Sequence, residues 1–251
     1  MLQTNIDAIS EDEEAELLGR LLNLDDRKNT LVGTIALTIA RSIIEGRLLP
    51  EHDLNSMDLA KQFRTSRTPI REALMVLENG GLVAIPARKR PRVITLNPQQ
   101  IREIYTLRSQ LDAVLSDRLA RTIGPDGIEV LEHTLSRMTS AVKRENVDAF
   151  FWANVLFHEQ SATLAGDMTL KKALEGLGIQ VLRLRHTSMS APGRMQRSLD
   201  DHKRLLLAYR DHDTVLAPAL SQSLVMGALR VLSEDATGPL ATLSSPSDNI
   251  Q

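Results

Sequence analysis

Residues 65–83 read TSRTPIREALMVLENGGLV. Arg67 and Arg71 stand four residues apart at the start of a helical pattern. Pro69 lies between them, and Ala73, Leu74 and Leu77 form an apolar stripe behind. Arginine in a first turn opposes the helix dipole, so this placement costs stability. The spacing of four sets both guanidinium groups on one face, away from the stripe. A helix built this way calls for a negative partner outside its own fold.

The surrounding charge points the same way. The 251 residues carry a formal net charge of only −2. Residues 61–92 hold Lys61, Arg64, Arg67, Arg71, Arg88, Lys89, Arg90 and Arg92 against Glu72 and Glu78, a local net of +6. Residues 1–30 are acidic, with a net of −5. A basic patch on a near-neutral chain predicts a polyanionic partner for one domain only. Aromatics make up 3% of the chain while Leu, Ala, Arg and Glu abound, which predicts helices over sheets. The chain has no cysteine, which excludes a disulfide framework, a thiolate metal site and a thiol nucleophile. No apolar run reaches the ~18 residues of a membrane span, and the acidic start MLQTNIDAISEDEE is unlike a signal peptide. The expected setting is the cytoplasm, without a membrane partner.

Working outward, TLVGTIALTIARSIIEGRLL (30–49) places Leu31, Ile35, Ile39 and Ile43 at helical spacing. Ser56 is expected to cap a short helix, MDLAKQF. Ser66 caps the next, which tolerates Pro69 in its first turn and stops at Gly80-Gly81. LVAIP and RVITL flank ARKRP, predicting a two-stranded β-ribbon with a basic tip. Asn97, Pro98 and Gln100 make a helix start. Helices follow at about 98–122, 127–144, 147–164, 169–188, 194–210 and 214–233, by the spacing of breakers. The fold class expected is mainly α, an N-terminal winged helix-turn-helix followed by an antiparallel six-helix bundle. Residues 1–29 read as an acidic arm with one amphipathic segment, EAELLGRLLNL. Residues 30–96 read as the winged domain, 97–233 as a helical effector-binding and dimerisation domain, and 234–251 as a disordered tail.

In a winged helix-turn-helix the second helix of the turn enters the major groove by its N-terminal end. Arg67 and Arg71 then face guanine edges and phosphates, which offset the unfavourable dipole. Ser66 and Thr68 add donors for phosphate, and Arg88, Lys89 and Arg90 put the wing tip near a groove or backbone. The plainer alternative for the two helical arginines is a surface salt bridge.

The stretch IARSIIEGRLLPEHDLNSMDLAKQFRTSRTPIREALMVLENGGLV resembles the DNA-binding domain of GntR-family bacterial transcription regulators. The resemblance implies that Arg67, Thr68 and Arg71 contact operator DNA. The chain departs from the pattern at Glu51, where the family usually has glycine, and at Met57, where a basic residue often contacts DNA. It departs again within ARKRP, where a wing glycine is replaced.

The second half resembles the effector domain of the FadR subfamily, in its shorter six-helix form, through IYTLRSQLDAVLSDRLA, ANVLFHEQSATLAGDMTL and SLDDHKRLLLAYRDHD. That resemblance implies a divalent metal held by an Asp, a His four residues later, and two further His. Here the positions read Asn154, His158, His202 and Leu224. An amide is a weak ligand for a transition metal and leucine is none, so metal is disfavoured and no cofactor is expected. His158 and His202 then hydrogen-bond an effector or each other, or serve as satisfied core histidines. Arg108 is the leading candidate for gripping a carboxylate, with Arg185, Arg183 and Arg194 as further candidates. Each of these alone is more often a surface or interhelical salt bridge.

The reading that joins these features is a homodimeric transcription regulator and not an enzyme. It would bind double-stranded operator DNA and answer to a small organic acid. Two rivals stand beside it. A helical-bundle metal-dependent enzyme would need an open metal site, and an effector-independent DNA-binding protein would show no response to small acids.

Overall fold

The computed structural model describes residues 9–24 and 27–234. The element order is α1 (Glu11–Leu21), α2 (Leu31–Ile44), α3 (Ser56–Gln62), α4 (Arg67–Asn79), β1 (Val83–Ala84), β2 (Arg92–Val93), α5 (Pro98–Thr122), α6 (Pro125–Lys143), α7 (Val147–Leu164), α8 (Met168–Met189), α9 (Arg194–Arg210) and α10 (Leu216–Glu234). The mainly helical class and the winged helix-turn-helix are both present. Nearly all of the expected tail lies outside the described residues.

The described residues group into two compact units. One draws on Met1–Thr95, Ser136–Phe157 and Glu175–His186, the other on Leu96–Leu135, His158–Leu174 and Thr187–Gln251. A boundary thus falls between Thr95 and Leu96, but the first unit also takes in two stretches from the helical half.

In the first unit, α2 buries Ile35, Ile39, Ile43 and Ile44, and α4 buries Ile70, Ala73, Leu74 and Leu77. These two stripes pack together and hold the head of the domain. Truncating a fully buried leucine such as Leu74 costs about 2–5 kcal/mol. Gly81 ends α4 at φ +73°, a left-handed conformation that side chains resist, and a Cβ there would collide with Gln180. The wing pairs Val83 with Val93 and Ala84 with Arg92, antiparallel. Its turn places Arg88 at φ +60°, where glycine would be unstrained.

Two sequence expectations change here. The acidic arm contains a docked helix, α1, capped by Ser10 with Glu13 closing a capping box. Its four first-turn acids suit the helix dipole, while Leu17 and Leu18 are buried. Arg137 holds it from α6 by bonds to both Glu13 oxygens, at 3.0 and 2.6 Å. Asn55 and not Ser56 caps α3, its Oδ1 accepting from Met57 N at 2.9 Å. Asparagine is as good a cap as serine, so the cap moves by one residue without loss.

In the second unit, α5 packs along α10 and α9. Ser116 and Tyr209 share a buried hydroxyl–hydroxyl bond of 2.7 Å, and burial pushes the Tyr209 phenol up. Arg118 ties α5 to the 165–167 turn through Ala165 O at 3.0 Å and Asp167 at 2.9 Å. Among the described residues one helical stretch, Leu216–Ser233, is long and apolar enough to cross a membrane. Its apolar stripe, including Ala217, Leu224, Ala228 and Leu232, is buried within the unit.

Candidate functional site

The α4 N-terminus is built by Ser66, whose backbone is extended but whose side chain makes no cap bond. Its hydroxyl is therefore left pointing to solvent with Arg67, Thr68 and Arg71, all exposed. Neither arginine has an ion-pair partner among the described residues. The salt-bridge alternative therefore has nothing to rest on.

Arg67 and Arg71 line a groove of about 550 Å³ whose other wall is the wing, through Lys89, Arg90 and Pro91. Four cations are thus gathered on one concavity, with Arg90 only loosely paired to Asp53 at 3.7 Å. Ser66, Thr68 and Arg88 are exposed but do not line it. Met57, Met75 and Ile85 do line it, and Met57 and Met75 are half exposed. The sequence reading noted Met57 only as a departure from a basic residue and missed Met75 and Ile85. Met75 lies one helical turn beyond Arg71 on the same face, so its spacing carried the signal. An apolar contact of this kind suits thymine methyls and sugar faces.

The effector candidates fall in both units. In the first, Asn154 is buried at 1% exposure and its Oδ1 accepts a hydrogen bond from Arg185, itself buried. In the second, His202 Nδ1 lies 2.7 Å from Ser198 O, and its Nε2 lies 3.4 Å from His158 Nε2. A carbonyl accepts only, so His202 Nδ1 carries a proton. With a neutral ring, His202 Nε2 then accepts from His158. Arg108 is buried with its Nε 3.2 Å from Asp112, while its Nη1 has no hydrogen-bond partner.

The metal expected of such domains does not fit these residues. The spacing of the two Nε2 atoms matches what two imidazoles adopt around a tetrahedral ion. The other donors fail. The Asn154 oxygen is already engaged by a guanidinium, itself a cation, and Leu224 offers only hydrocarbon. Among the described residues no three His, Cys, Asp or Glu side chains cluster.

A winged helix-turn-helix with unpaired arginines at its recognition-helix start, followed by a helical domain with buried arginines, defines a DNA-binding transcription regulator. Residues 31–93 match the model for bacterial regulatory proteins of the gntR family, and residues 103–226 match the FCD domain. The chain belongs to the GntR family and carries an FCD domain. It is 25% identical over 175 residues to the HTH-type transcriptional repressor RspR of Escherichia coli, covering 70% of this chain and 77% of that protein. It is 28% identical over 186 residues to the gluconate operon transcriptional repressor of Bacillus licheniformis, covering 71% and 75%. The structure of E. coli McbR/YncC shares the fold with a TM-score of 0.70 at 19% identity, covering 80% of this chain and 96% of that one. The matched families and these relatives are regulators and not enzymes.

Proposed function

We propose that this regulator acts as a homodimer whose DNA affinity is set by a small carboxylate bound in the helical domain. Each head would read one half of a short palindrome through Arg67 and Arg71, with Thr68 and Ser66 on phosphate and Arg88, Lys89 and Arg90 along the backbone. The observation that carries this reading is the groove in which Arg67, Arg71, Lys89 and Arg90 converge without a strong internal partner. The two named relatives are called repressors, and repression is the mode proposed here.

Support for a carboxylate effector comes from Arg108, which the fold buries with its Nη1 unbonded among the described residues. A planar guanidinium in such a setting is suited to grip a carboxylate with two bonds. His158 and His202, in the same unit as Arg108, supply neutral donors and acceptors.

The test is selection of a bound duplex from a random library, followed by anisotropy titration with a panel of small organic acids. The proposal expects a two-fold symmetric site bound by two chains and at least one acid that changes affinity. A single, asymmetric half-site bound by one chain would refute dimeric readout. Indifference to every acid would favour the effector-independent rival.

A further inference from the structure

Arg194, the first residue of α9, is only 4% exposed. Its Nε is buried without a hydrogen-bond partner, and among the described residues no carboxylate pairs with its guanidinium. Arginine does not shed its proton in a protein, so burial cannot be relieved by neutralisation. A buried charge left uncompensated is among the costliest features a fold can keep.

The surroundings supply further positive potential. A Cβ placed on Gly227 of α10 would lie 3.8 Å from Nη2 of both Arg194 and Arg230, so the two guanidinium groups converge over one residue without a side chain. Gly193 is the N-cap of α9 and offers no side-chain cap, leaving the positive end of a 17-residue helix beside them. Burial pulls the Arg194 pKa down, and Arg197 and Arg230 add to that, while Asp201 and Tyr105 oppose it. Asp201 makes no hydrogen bond to Arg194 and stands 3.9 Å from Arg204 instead.

We propose that the start of α9 is an oxyanion site, formed by Arg194 and Arg230 over Gly227, which takes the carboxylate or phosphate group of a small molecule. The absence of a side chain at Gly227 leaves room for the oxygens, and the bare helix end adds backbone donors. This deepens the effector reading above and rests on it for its regulatory meaning. The anion site itself rests only on the convergence of the two arginines.

The experiment uses the full-length protein and compares melting in phosphate, in malonate and in chloride at equal ionic strength. Parent, R194M, R194K and R230M are measured side by side. The parent's melting temperature should climb with the logarithm of phosphate or malonate concentration beyond the chloride control. R230M, altered at an exposed position, should fold normally and lose most of that rise. R194M should lose all of it and melt in chloride no lower than the parent, since an uncompensated charge has been removed. R194K should keep a reduced response. The stronger anion identifies the ligand's headgroup. The proposal is overturned if the parent responds to neither anion beyond chloride, or if R194M and R230M respond as the parent does. An anion response that R194M and R230M abolish, with DNA affinity unmoved by either anion, would uphold the site and count against the effector reading.

Discussion

Arg137 on α6 grips both carboxylate oxygens of Glu13 on α1, at 3.0 and 2.6 Å, and so fastens the acidic N-terminal helix to the stretch 136–157. Arg137 is buried while the Glu13 side chain is 46% exposed, so water screens the pair from one side only.

R137A should destabilise the first unit by about 1 kcal/mol, below the usual range for bonds to charged groups because solvent screens the half-exposed Glu13. The Arg137 guanidinium holds Glu13 well below the usual carboxylate range, at about 2. The pair's contribution is complete above the ordinary carboxylate pKa and fades as pH falls toward 2. Thermal melts of parent and R137A at pH 7 and pH 3 should thus show a gap that narrows in acid. An equal gap at both values would mean that Arg137 acts through packing alone.

Glu14 behaves in the opposite sense. Burial raises its pKa to about 7, with Glu45, Glu11 and Asp148 adding to the rise and Arg41, 2.7 Å away, opposing it. Between the ordinary value of 4.5 and 7 the folded chain holds a proton that the unfolded chain has released. Stability from this group is present at low pH and is lost as pH rises through that window. E14Q should match the parent near pH 4.5 and melt higher above pH 7. A variant that melts lower at pH 8 would show that the ionised Glu14–Arg41 pair is worth more than its burial costs.

The wing should contribute charge and little base reading. K89A should weaken binding to all duplexes alike and flatten the logarithmic salt dependence by about one unit. A changed preference at one base pair would make Lys89 a reader of sequence.

Metal should play no structural part. Protein purified without added metal is expected to hold well under one equivalent by elemental analysis, and chelator should leave its melting temperature unchanged. The reason is the donor set: Asn154 is engaged by Arg185, and Leu224, at the sequence position where the family resemblance implies a third histidine, offers only hydrocarbon. A stoichiometric, chelator-sensitive metal would overturn this.

Much of the head was legible before any coordinates. The clash of Arg67 and Arg71 with the helix dipole, the Gly80-Gly81 stop and the basic wing tip are local signals, and local chemistry set the elements they mark. What stayed hidden depended on partners distant in sequence. The segment EAELLGRLLNL had the right periodicity, but the partners that dock it lie outside it, among them Arg137, 124 residues from Glu13, and Arg41 beside Glu14. Asn154 read as a damaged metal ligand. Its bond to Arg185, a candidate in the same sequence reading, comes from a helix 31 residues away. Met57 drew notice only as a lost basic residue, and the half-exposed Met75 carried no charge to mark it, although it shares the arginine face.

The central claim is that α4 reads DNA through Arg67 and Arg71, and anisotropy titration of the selected operator against a scrambled duplex at fixed salt tests it most directly. R67A and R71A should each lose about 1–3 kcal/mol of specific binding, roughly 5- to 150-fold in Kd. Both side chains are exposed and have no ion-pair partner among the described residues, so melting temperatures should stay at the parent value. Two folded variants that bind the operator as tightly as the parent, with discrimination intact, would contradict the account and move the reading head elsewhere.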